Sequence, residues 1–238
     1  MSIPKKITPC PIVDCTIELR FRTSVEPGAV FGIVYSAFKN EYPNVDKMPI
    51  LNLPEQIRLI DPNLVYQPWY RLRNGGFILT IGPRRVGLGK IGEYSGWSLF
   101  SDHLYRMIET LRGLAIIDEV ERIGLRYINF FDFDIFNKIN LAVSINDISV
   151  THNETLVRVV IPGRRYKTQM HVSNKGSIIV EGKNRTGSVI DIDTYLETDL
   201  KDFFQNSTPI IEEGHNEEKE VFFSLPKEDF LQTLNPEY

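Results

Sequence analysis

The chain is poor in the residues on which most catalytic and metal-binding chemistry rests. Cysteine occurs only at Cys10 and Cys15. Cys15 shares a strand face with Ile17, Leu19 and Phe21, so it reads as a small buried thiol rather than half of a disulfide. Among the four histidines, His103, His152 and His171 have no partner pattern, and no Cys/His cluster suggests zinc. No Ser or Cys stands in a nucleophile motif. No apolar run approaches the roughly 20 residues that span a bilayer. The Lys5-Lys6 pair near the start is followed by no apolar stretch, so it does not read as a signal peptide. Without such a signal the sequons at Asn153, Asn184 and Asn206 carry no weight, and the expected compartment is the cytoplasm. Neither a sequence repeat nor a polar linker stands out. No metal, cofactor or membrane partner is expected.

What remains is an ordinary globular composition with an uneven charge. At 238 residues, 42% of them hydrophobic, the chain is long enough to bury a real core as one large domain or two small ones. The net charge is −4, yet residues 156–185 hold seven Lys/Arg against the single acid Glu181. From 186 to 238 the balance reverses, with thirteen Asp/Glu against Lys201, Lys219 and Lys227. Such a dipole can steer a partner or pair with itself, within one chain or between two.

The pattern is organised around 120–131. Ile123, Leu125 and Tyr127 share one face and Arg122 and Arg126 the other, as a strand period requires, and beyond Asn129 both faces turn apolar. This is the predicted central strand. Before it, residues 11–23 form a strand with Val13, Cys15, Ile17, Leu19 and Phe21 on one side and Thr16, Glu18, Arg20 and Arg22 on the other. A helix is predicted over 27–39, a Pro-rich loop over 41–54, and short strands over 56–60 and 69–73. Asn74-Gly75 is the strongest hairpin signal and leads to strands at 77–81 and 86–91. Trp97, Phe100, Leu104, Met107, Ile108, Leu111 and Leu114 then mark a long helix. The second half reads as a meander, with runs at 141–148, 155–161, 166–172, 177–181 and 188–196 broken at Pro162-Gly163, 174–176 and 184–187. Thr208-Pro209 is the predicted N-cap and first turn of a helix to about 223, and a short helix follows to 234.

Four groupings invite a chemical reading. Gly87-Leu88-Gly89-Lys90-Ile91-Gly92 is formally G-x-G-x-x-G, but hairpin strands precede it and no helix follows directly, so bulged strand glycines fit better than a dinucleotide fold. Asp191 and Asp193 share a strand face, and pairing to arginine is the simpler expectation than a cation site. His215 and Glu218 fall on the apolar stripe of the last long helix, one turn apart, where burial demands compensation. With Arg122 or Arg126, and Arg20 and Glu18 as rim, they would form an anionic-ligand or nucleotide site; the plainer reading is a polar network pinning that helix. Arg164, Arg165, Lys167, Lys183 and Arg185, with Tyr166 among them, would form a nucleic-acid surface, against which the acidic total weighs.

Several pieces together resemble a known family. They are Pro11-Ile12-Val13-Asp14 before Glu18-Leu19-Arg20-Phe21, Tyr94-Ser95-Gly96-Trp97-Ser98-Leu99-Phe100, and Arg122-Ile123-Gly124-Leu125-Arg126-Tyr127-Ile128-Asn129. Phe222-Phe223-Ser224-Leu225 and Asn235-Pro236-Glu237-Tyr238 close the series. In that order they resemble a sporadically distributed prokaryotic family of about this length with no established function. Cys10 departs from the family's usual proline. The resemblance supplies no catalytic residues. It implies a bacterial or archaeal protein in an accessory role such as phage defence or a toxin–antitoxin-like pair.

The expectation is therefore an α+β protein of two mostly antiparallel sheet-plus-helix halves, 1–135 and 136–238, which can form one continuous domain. Its last long helix docks back on the sheet. The leading functional expectation is a non-enzymatic interaction module, self-associating or binding a protein partner. Anionic-ligand binding or hydrolysis and nucleic-acid binding are the alternatives.

Overall fold

A computed structural model describes residues 3–90, 92–150, 154–180 and 182–238. Ile91, His152, Asn153 and Glu181, all weighed above, lie outside the described residues. The fold is α+β, as expected. Strand β1 (Ile12–Arg22) leads to helix α1 (Pro27–Phe38), short strand β2 (Asn44–Lys47) and short helix α2 (Glu55–Ile60). A meander of β3 (Tyr70–Arg73), β4 (Phe77–Gly82) and β5 (Arg85–Lys90) follows, then α3 (Trp97–Leu114) and β6 (Glu119–Phe131). A small ribbon, β7 (Ser144–Ile145) and β8 (Ile148–Ser149), precedes β9 (Leu156–Pro162), β10 (Lys167–Val180) and β11 (Lys183–Leu196). Helices α4 (Ser207–Ser224) and α5 (Glu228–Thr233) complete the described elements. No helix among the described residues is long and apolar enough to cross a membrane.

Nine strands form one antiparallel sheet in the order β2-β3-β4-β5-β1-β6-β11-β10-β9, so both halves build a single sheet. The halves repeat one topology that the sequence does not betray. Each opens with a strand (β1, β6) and continues to a three-stranded meander (β3–β5, β9–β11). The meander's last strand pairs with the opening one, and a long helix follows (α3, α4). β1 and β6 meet along the seam, Ile17 opposite Leu125 and Glu18 opposite Gly124.

Alternation along the seam strands separates two chemistries. Cys15, Ile17, Leu19, Phe21, Ile123, Leu125 and Tyr127 face the helices and are buried. They pack with Val30, Val34 and Phe38 of α1 and Phe100, Leu104, Ile108 and Leu111 of α3. A second core, built by Phe131, Ile135, Phe136, Val172, Ile190, Ile192 and Phe222, lies under the end of α4 and α5. The opposite sheet face carries Glu18, Arg20, Arg122, Arg126, Asp191 and Asp193.

Six local expectations fail. The loop expected over 41–54 contains β2, which pairs with β3 at the sheet edge, and the run expected at 141–148 is a tight ribbon that turns at Asn146 and Asp147, both at positive φ. Residues 56–60 lie in helix, not strand: the turn brings Arg58 inward, where it stacks 4.0 Å over Trp69 and donates to the Leu53 carbonyl, and leaves Ile57 and Ile60 exposed. The expected break at 174–176 is a bulge inside β10, where buried Asn174 accepts from the Thr155 N–H. The expected turn at 184–187 is strand; a side chain at Gly187 would collide with the Phe131 carbonyl, and the reversal falls at Gly182 (φ 75°). α4 begins at Ser207 with Asn206 as its cap position, two residues earlier than Thr208 implied.

Candidate functional site

On the face opposite α1, α3 and α4 the arginines are consumed by acids of the same chain. Arg122 donates to Asp193 (2.7 Å) and Glu18 (3.3 Å) and lies 4.6 Å over the Tyr195 ring. Arg85 reaches the other oxygen of Glu18 (2.8 Å), and Arg20 bonds the same carboxylate. Burial alone would raise the Glu18 carboxyl, but Arg85, Arg20 and Arg122 together hold it below its ordinary value. Asp193 goes the other way, raised by burial despite Arg122. Arg126 grips Asp191 through two bonds of 2.8 and 2.6 Å, which raise its own pKa. The paired aspartates thus do what their simpler reading required. Beside them lies a cavity of about 210 Å³, lined by Arg126, Gln169, His171, Asp191 and Asp193.

The glycine-rich stretch serves this network. Gly87 and Gly89 sit inside β5, and a Cβ at Gly87 would meet Thr80 and the Arg85 guanidinium at 2.8 and 2.9 Å. One at Gly124 would collide with the Arg122 guanidinium. Gly87 and Gly124 make room for arginine, and α3 starts only at Trp97, so among the described residues no strand turns directly into a helix here.

His215 and Glu218 are on the other side of the sheet. The structure therefore does not bring them together with Arg122, Arg126, Arg20 or Glu18, because odd and even positions of a strand point to opposite faces. His215 stacks on Trp97 with ring centroids 3.8 Å apart and 9° between planes, and its Nδ1 lies 3.2 Å from the Tyr127 hydroxyl. The Trp97 indole N–H and the Tyr105 hydroxyl both donate to Glu212. This aromatic clamp ties α3 to α4 over the seam. Burial pushes His215 down to about 3 and Glu218 up to about 8, so both are neutral at pH 7. Burial likewise raises Cys15, Tyr94 and Tyr127 around them. Neither residue lines the polar-face cavity or a larger one of about 520 Å³ at the start of α4. The geometry is that of a pinning network. The sequence reading does not assign Trp97, Tyr105, Tyr94 and Glu212 to this network; only the helical phase of Trp97 and Tyr105, two turns apart, hints at them.

The basic meander residues do not form one surface. Arg165 pairs with Glu213 (2.8 Å), Lys167 with Glu197 (3.7 Å) and Arg185 with Asp132 (3.6 Å). Lys167 and Lys183 stand at opposite ends of the β10–β11 ribbon. No group of three His, Cys, Asp or Glu residues able to hold a metal occurs among the described residues.

The feature that no internal partner accounts for is an edge of the sheet. Its two edges differ. β2 is four residues long, its Asp46 bridges Arg71 and Arg73 (3.0 and 2.7 Å), and Pro43 and Pro49 flank it. Short, charged, proline-bounded strands resist further pairing. β9 is Leu-Val-Arg-Val-Val-Ile-Pro, without an acid, and Leu156 is 70% and Val160 50% exposed; Val159 and Ile161 are also exposed. Its backbone phase follows from its ends. Gly163 N–H donates to the Tyr166 carbonyl (2.8 Å) and Asn174 N–H to the Thr155 carbonyl (3.4 Å). Bonded and unbonded pairs alternate along an antiparallel ladder. Residues 157, 159 and 161 therefore bond β10, while Leu156, Arg158, Val160 and Pro162 aim their backbone groups outward. The chain matches no protein-family model and no curated protein sequence.

Proposed function

We propose that this chain is a non-catalytic interaction protein that associates through its C-terminal half. The observation that carries the reading is β9, an aliphatic strand whose outward backbone groups meet no partner among the described residues. The polar clusters support it by default of chemistry: arginine and carboxylate neutralise each other on one face, and His215 and Glu218 are buried and neutral on the other. The resemblance to a sporadic prokaryotic family adds a setting, an accessory module in a defence or toxin–antitoxin-like system. Native mass spectrometry of protein purified gently from its own host tests the reading. A dimer or hetero-complex is expected. A monomer at every concentration, with no partner retained, overturns it, and a retained small anion would transfer the weight to the cavity beside Arg126.

A further inference from the structure

We infer that the partner of β9 is a second copy of this chain, with β9 pairing antiparallel to the partner's β9 about a two-fold axis through Val159, so that the sheet runs on across the dimer. This rests on the association reading above and specifies its surface and occupant.

The repeated topology supplies the first reason. β9 is the counterpart of β3, the outermost strand of the other meander, and the outer edge of β3 is occupied by β2. The C-terminal half is one strand short by comparison. The strand it lacks would find outward N–H and C=O groups at Leu156, Arg158 and Val160 and a carbonyl at Pro162.

The second reason is that β9 complements itself in one register. Only outward residues can bond across the new ladder. Placing Val159 opposite the partner's Val159 sets Arg158 against the partner's Val160 and Leu156 against the partner's Pro162. Each Arg158–Val160 pair makes two bonds and each Leu156–Pro162 pair one, because proline lacks an N–H, giving about six bonds in all. A shift to Arg158 against the partner's Arg158 makes as many bonds but opposes like charges. A shift to Val160 against the partner's Val160 loses bonds to the prolines. The favoured register also places Val157 against the partner's Ile161 on the helix-side face, so β-branched side chains meet there in pairs. The strand carries no acid, and its one charge, Arg158, already donates to Gln169 of its own chain. An isologous two-fold closes the assembly at two copies. A lone strand pair covers less than the roughly 800 Å² per partner of a standard interface, so the dimer belongs to the weak, concentration-dependent class.

The experiment is sedimentation equilibrium of the full chain over a wide concentration range, for the wild type and three variants at one position. Val160→Pro removes an outward N–H without taking a bond from the β9–β10 ladder, and proline is tolerated on edge strands; it is expected to leave a folded monomer. Val160→Lys faces the partner's Arg158 with a like charge and is expected to weaken the dimer at least tenfold. Val160→Glu faces the same arginine with a carboxylate and is expected to tighten it about threefold. The Lys and Glu variants carry the test even where the proline variant does not fold. A wild type that is monomeric throughout overturns this pairing, and the association reading falls with it only where native mass spectrometry of protein from its own host also finds no retained partner. A wild-type dimer that the three variants leave unchanged, or that lysine and glutamate affect alike, keeps the association reading and overturns the β9 pairing.

Discussion

One cross-strand row on the helix-covered face compares the two halves directly. It runs Val45, Leu72, Leu79, Leu88, Ile17, Leu125, Thr194, Thr168, Ile161, one residue from each of the nine strands. Within the N-terminal half, Leu72, Leu79, Leu88 and Ile17 are wholly buried aliphatics. Beyond Leu125 the row changes character. Thr194 and Thr168 are as deeply buried but satisfy each other through a 2.9 Å hydroxyl contact, and Ile161 is 37% exposed where its counterpart Leu72 is at 0%. The same architecture is thus sealed by an extra strand in one half and left open in the other. Core quality is a property of what lies one strand further out.

Truncation at the two counterparts should give the largest contrast. Leu72→Ala is expected to cost about 2–5 kcal/mol in urea unfolding, and Ile161→Ala, measured on dilute monomer, under about 1 kcal/mol. Equal losses would mean that β9 is already covered within one chain.

The helices over the seam differ too, because only α4 carries a buried acid on its core face. In the folded chain Glu218 is pushed up to about 8 from 4.5 and His215 down to about 3 from 6.5. From about pH 4.5 to 6.5 the folded chain holds a proton on Glu218 and the unfolded chain one on His215, so their contributions cancel. Above 6.5 only the folded chain holds a proton, so stability falls as pH rises towards 8, by about 1.4 kcal/mol per unit. Glu218→Gln should abolish that decline, leaving the variant about 2 kcal/mol ahead of wild type at pH 8 relative to pH 6.5. A wild-type melting temperature that is flat over this interval would refute a buried protonated Glu218.

The hydroxyl pair gives a smaller, non-additive signature. Thr168→Val strands the Thr194 hydroxyl and should cost about 1 kcal/mol or slightly more, whereas the double Thr168→Val/Thr194→Val change is expected to be near neutral. A double-mutant cycle with no coupling would deny the contact. Smallest of all is Val160→Lys, which should shift monomer stability by less than about 0.5 kcal/mol, so that its effect on association is read without interference from folding.

The sequence carried the periodic features of this molecule well. Alternation in 11–23 and 120–131 located both seam strands and assigned their faces, and helical spacing placed α3 and the stripe of α4 through Ile211, Gly214, His215, Glu218, Val221, Phe222 and Leu225, of which all but Val221 are buried. It failed where one residue type serves two purposes. Asn174 and Gly187 carry turn chemistry yet lie in continuous strands, because a bulge and a close backbone approach need the same small or hydrogen-bonding residues as a turn does. The same alternation that placed Tyr127 under the helices put Arg126 on the far face, so combining His215 with Arg126 crossed the thickness of the sheet. The open edge was out of reach altogether. Strand order is a long-range property, and nothing local in 156–162 says whether the strand will lie at the centre or at the rim.

The antiparallel seam also governs the order in which this molecule can assemble. Each meander closes through neighbours a few residues apart, but Glu18 and Arg122 are 104 positions apart. At about 5–20 residues per second, β1 is made roughly 5–20 s before β6. During that interval β1 can pair only with β5, and its other border stands open. Synthesis therefore favours a half-sheet first, and the joining of β1 to β6, which carries the largest loop-closure cost among the strand pairs of the sheet, is expected to set the refolding rate.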